Sequence, residues 1–202
     1  MSSPAGTPQA NPNAGRQFPL AVGSRPPVGV VEQAATAYTV GWTIVLAVAA
    51  VCALVPAARS LAHHELALKL HVHLAPDPPP TVIHALWLLQ NNIRATGWPL
   101  VPAMLRAHRY PLCRRLVHAA VTISFLVNVL PVAAALGVYR ARIVAFLPHL
   151  PLELYAATTG PTCWLLAARN QLGRRRLAYL AASILVALAG AAFLETWAVP
   201  HH

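Results

Sequence analysis

Acidic side chains are nearly missing from this chain. Of 202 residues, five are Asp or Glu, against 15 Lys or Arg. Charged residues together make only 10%, where soluble proteins carry about 25%. Hydrophobic residues make 57%. A soluble core of this size cannot hide that excess, so the chain reads as a polytopic membrane protein. Other absences narrow the chemistry. Three cysteines are too few and too scattered for a disulfide framework. Cys52 and Cys163 fall in apolar segments and read as packing residues. Cys113 sits beside Arg114 at a helix start and reads as a plain buried thiol, with S-acylation the alternative. No Gly-rich phosphate loop, nucleophile elbow, paired-carboxylate site or His-Glu-x-x-His occurs. Neither an enzyme nor a bound cofactor is expected.

What is present is hydrophobic length. A helix needs about 20 residues to cross roughly 30 Å of hydrocarbon. Five segments meet that: Tyr38–Pro56, Ile83–Leu105, Leu116–Val138, Ile143–Leu166 and Leu177–Val199. The fourth contains Pro148, Pro151, Glu153 and Gly160–Pro161, so it is expected to be kinked or interrupted. The expected fold is all-α, a bundle of about five transmembrane helices over residues 36–200. Residues 1–35 are rich in Pro, Ser, Gly and Asn and read as a disordered arm. No signal-peptide core appears in it.

Basic residues set the orientation. Arg16, Arg25, Arg106, Arg109, Arg114, Arg115, Arg169, Arg174, Arg175 and Arg176 fall on one side. Arg59, Lys69, Arg140 and Arg142 fall on the other. Ten against four places the N-terminus in the cytoplasm and the C-terminus outside. The partner implied is the bilayer, with Arg174–Arg176 among anionic headgroups. Nucleic acid is the weaker reading, because the bases flank helices rather than line one soluble face.

The external loop, 58–80, holds "HHELALKLHVHL" from His63 to Leu74. Leu66, Leu68, Leu70, Val72 and Leu74 recur at every second position, which is strand periodicity. A surface-lying helix is the alternative. His63, His64, His71 and His73 are candidate metal ligands, weighed against a partner-docking surface and ordinary interfacial packing.

The polar run "LLQNNIRATGW", Leu88 to Trp98, lies inside the second apolar segment. At 100° per residue His84, Trp87, Asn91, Arg94 and Trp98 share an arc of about 80°, and Asn92 points elsewhere. An arginine at a helix centre costs about 2.5–3.5 kcal/mol and normally faces a bundle interior or wet cavity. Glu153 is the one carboxylate deep in an apolar segment, with His149 four residues before it on the same face. Asn128 falls at a similar depth. Arg94 or the asparagines are therefore expected to bond to Glu153 or His149. The cluster of Asn91, Asn92, Arg94, Asn128, His149 and Glu153 reads as a structural network, as a proton relay, or, with His84 and His118, as a metal site.

These residues carry a resemblance. "NNIR" (Asn91–Arg94), Asn128 in the next segment and "LPHLPLELYA" (Leu147–Ala156) resemble the stage II sporulation protein M family. That family shows Asn-Asn-x-Arg and, two helices later, His-Gly-x-x-Glu. The match spans about Leu88 to Gly160. It departs at Leu150 and Val129, where the family tends to have glycine, and at Pro148 and Pro151 beside the histidine. The resemblance implies a bacterial cell-membrane protein without known enzymatic chemistry. Its founding members act in endospore engulfment as a scaffold holding peptidoglycan-degrading partners. Membrane or envelope proteins are the partners it suggests; a second copy of the chain is a further candidate partner. The alternative function is a transporter or channel subunit built on the polar cluster.

Overall fold

The computed structural model describes residues 28–71, 80–139 and 148–198. Among these the protein is all-α, with seven α-helices. They are α1 (Val28–Leu54), α2 (Pro56–His71), α3 (Val82–Asn92), α4 (Leu100–Met104), α5 (Pro111–Tyr139), α6 (Leu150–Ala168) and α7 (Arg174–Trp197). Three helical stretches are long and apolar enough to cross a membrane: Val31–Leu54, Pro111–Tyr139 and Arg174–Trp197.

The other two expected spans differ from plain helices for physical reasons. The second is broken. Helix α3 starts on Thr81, whose hydroxyl accepts from the His84 N–H at 3.1 Å. After Asn92 the chain widens into a π-helical turn, Ile93–Gly97, before α4 begins. Gly97 and Pro99 lie at that junction. Proline has no N–H to continue the ladder, and π-turns of this kind recur where a helix carries a function. The fourth is the centre of the bundle. Helix α6 packs against α1, α5 and α7, and against α4 near its far end. Trp164, Cys163, Thr159 and Ala156 within it are fully enclosed. Enclosure explains how α6 tolerates Thr158 and Thr159, whose hydroxyls turn back onto Leu154 O and Tyr155 O.

The outside of the bundle is apolar. Ile83 is 80% exposed and Val186 is 73% exposed, and Leu46, Ile123, Val127 and Phe193 are also on the surface. A protein bathed in water buries such side chains. An outward-facing apolar belt around a packed interior suits a hydrocarbon solvent.

Two glycines set helix spacing. A β-carbon on Gly137 would strike Ala49 O, which holds α5 tight to α1. A β-carbon on Gly160 would stand 2.7 Å from Thr96 O, so α6 meets the π-turn backbone directly. Small residues at crossings let membrane helices approach this closely.

The segment after α1 corrects a sequence expectation. Residues 56–71 are helical, so the alternation from Leu66 onward is not a strand as far as His71. The chain bends at Pro56, which cannot donate to Cys52 O. Arg59 fills the gap. Its guanidinium donates to Cys52 O at 3.4 Å and to Ala53 O. A helix two residues after α1, with its kink carbonyls satisfied, outcompetes strand periodicity that has no partner strand among the described residues. At the other end, α1 begins at Val28, so the N-terminal arm cannot extend to residue 35. Residues 1–27, His73 and the Pro76–Pro80 run apart from Pro80 lie outside the described residues, as do Arg140 and Arg142.

Candidate functional site

The site grows from the break in the second segment. Pro99 cannot donate to Ala95 O, the carbonyl four residues earlier. That oxygen accepts side chains from α5 instead, Ser124 Oγ at 3.4 Å and Asn128 Nδ2 at 3.5 Å. Asn128 also donates to Ser124 O at 2.7 Å, and Trp98 Nε1 donates to Ser124 Oγ at 2.9 Å. Within the break itself, Thr96 Oγ1 donates to Asn92 O at 2.7 Å. A proline-broken helix thus has its freed carbonyls answered by polar side chains, as a bilayer interior demands.

Asn92 makes the long-range link. Its carboxamide Nδ2 donates to Glu153 Oε1 at 2.8 Å across 61 positions. His149, one turn before Glu153 at the start of α6, places Nε2 3.9 Å from Glu153 Oε2. The two carboxylate oxygens are therefore divided, one held by Asn92 and one facing the imidazole. Glu195, near the end of α7, joins them. Ligand atoms of His149, Glu153 and Glu195 lie within 4.8 Å of one another. Beside this group is a cavity of about 90 Å³ lined by Val45, Asn92, Thr96, Asn128, Glu153 and Leu188.

Of the sequence cluster, Asn92, Asn128, His149 and Glu153 come together. Asn91 and Arg94 do not. Both are exposed, as is Trp87 of the same stripe. Arg94 makes no ion pair with Glu153 among the described residues, where the His149–Glu153 contact is the ion pair formed. A stripe at 100° per residue presumes a uniform α-helix, and this segment is α-helical only as far as Asn92. The wider π-turn begins just before Arg94, and α3 turns Asn92, not Asn91, toward α6. The wider metal set fails too: His84 stacks on Trp87 with centroids 6.1 Å apart, and His118 is exposed on α5. Of the four histidines between residues 63 and 73, His63 and His64 are exposed on α2, with the His63 ring 6.4 Å from Tyr139. The His71 side chain and all of His73 lie outside the described residues.

Sequence reasoning missed Ser124, Trp98 as a donor, and Glu195. A signal for Glu195 existed. It is one of five acids in the chain and sits near the end of a helix long and apolar enough to cross a membrane. Helix α6 begins at Leu150, so Glu153 is in its first turn and meets the last turns of α7. No protein-family model, no curated protein and no solved structure matches the chain.

Proposed function

We propose that this chain is a five-pass integral membrane protein of the stage II sporulation protein M kind. In this reading it is a scaffold without catalytic chemistry that recruits envelope-remodelling proteins. The second span is the broken α3–α4 unit and the fourth is α6 with the residues before it. The N-terminus is cytoplasmic and the C-terminus external. The observation that carries the reading is the Asn92–Glu153 hydrogen bond at 2.8 Å. It joins the two segments on which the family resemblance rests. A polar joint of this type fixes helix register in a membrane bundle.

A transporter or channel subunit is the second reading. The cavity beside Asn92, Asn128 and Glu153 favours it. The two separate by experiment. Affinity-purified protein from its native membrane, analysed by mass spectrometry, should carry peptidoglycan hydrolases, and replacing the external segment 58–80 should release them. Solute or ion flux in proteoliposomes that is abolished by Asn128→Leu, with no hydrolase captured, overturns the scaffold.

A further inference from the structure

We propose that His149, Glu153 and Glu195 form a binding site for one divalent transition-metal ion of the zinc or manganese type. The site stands apart from the scaffold reading and survives its failure. Three residues from α6 and α7 bring one imidazole and two carboxylates within 4.8 Å of each other. That is a borderline-to-hard donor set, suited to zinc, manganese or ferrous iron rather than to copper(I). Metal–ligand bonds of about 2.0–2.2 Å at tetrahedral angles set two ligand atoms about 3.3–3.6 Å apart. His149 Nε2 and Glu153 Oε2, at 3.9 Å, need to close by only a few tenths of an ångström.

Three further observations point to a cation. Two ionised carboxylates this close repel unless a cation or a proton lies between them. Among the described residues no Lys or Arg forms an ion pair with either. The His149 side chain is only 11% exposed, and its Nε2, the nitrogen that would bind, faces Glu153 Oε2. Glu153 is also oriented as a ligand is, because Asn92 holds Oε1 and leaves Oε2 free to coordinate. Such an outer partner typically raises metal affinity about 10–100-fold. With three protein ligands, the remaining positions are open to water or to a group from another molecule.

The test uses the full chain in detergent, purified without a histidine tag and stripped by EDTA. Titration with Co²⁺, followed by visible absorption and by competition with Zn²⁺, should show one site of micromolar affinity or tighter. Glu195→Gln should weaken it at least about tenfold, and Asn92→Leu should weaken it by a similar factor. His63→Ala with His64→Ala should leave it unchanged. Wild-type protein loaded with Cu²⁺ should give the pulsed electron paramagnetic resonance signature of a single imidazole nitrogen, a readout that needs no variant to fold. Absence of a micromolar site in folded wild type overturns the proposal. So does a site lost with His63 and His64, or two or more coordinated imidazoles.

Discussion

The carbonyl oxygen of Thr96 stands 2.7 Å from where a β-carbon on residue 160 would be. Gly160 therefore lets the enclosed helix α6 touch the π-turn that follows Asn91 and Asn92. Thr96 O is backbone and cannot swing aside. Gly160→Ala should destabilise the protein by about 1–3 kcal/mol, the cost of overpacking a filled interior. Gly29→Ala, where a β-carbon meets nothing within 4 Å, is the control. Thermal unfolding in detergent compares the two, and equal midpoints would argue against the close approach.

Asn128 and Ser124 answer the carbonyl that Pro99 leaves open. Asn128→Leu keeps the size of the side chain and removes the donor. It should cost about 1 kcal/mol, because Ala95 O is left with Ser124 Oγ as its side-chain donor and Ser124 O loses the Asn128 amide. Pro99→Ala restores an N–H four residues after Ala95 and should reduce the cost of Asn128→Leu. Chemical denaturation of the four proteins of this cycle measures that coupling.

Arg59 serves the bend at Pro56. Arg59→Leu should loosen the α1–α2 junction, because Cys52 O and Ala53 O lose their guanidinium donors. Arg59 is exposed, so the effect on global stability should be small. Amide hydrogen exchange across residues 52–60 should nonetheless rise, and exchange unchanged from wild type would remove Arg59 from that role.

Topology has its own test. A reporter fused after His202 should be external and one fused at Met1 internal. A cytoplasmic C-terminus would remove one crossing, and the broken α3–α4 unit would be the segment to reassign.

Much of the fold was legible in the sequence because composition and apolar length survive any local irregularity. The three long apolar helices are the segments with least polar interruption. The site was legible in its residue types and not in its faces. Asn92, Asn128, His149 and Glu153 all stand out in the sequence, which offers Arg94 and the two asparagines alike to Glu153 or His149, and it is Asn92 that takes Glu153. A uniform 100° rotation cannot anticipate a π-turn, and Pro99, which has no N–H for the ladder, stands immediately after the stripe. The strand periodicity after Leu66 misled for a similar reason. Alternation is a preference of an isolated segment, and here α1 runs through a satisfied proline bend into α2. Glu195 escaped because depth was counted from apolar boundaries, whereas helix α6 starts at Leu150.

The central claim is that Asn92, and not Arg94, couples the second segment to Glu153. A double-mutant cycle on unfolding free energy tests it directly, using Asn92→Leu, Arg94→Leu and Glu153→Leu singly and in pairs. Asn92 and Glu153 should show a coupling of about 1 kcal/mol or more, as for residues in one hydrogen-bonded network, while Arg94 and Glu153 should be additive within about 0.5 kcal/mol. Strong coupling of Arg94 to Glu153, with Asn92 additive, would contradict the account.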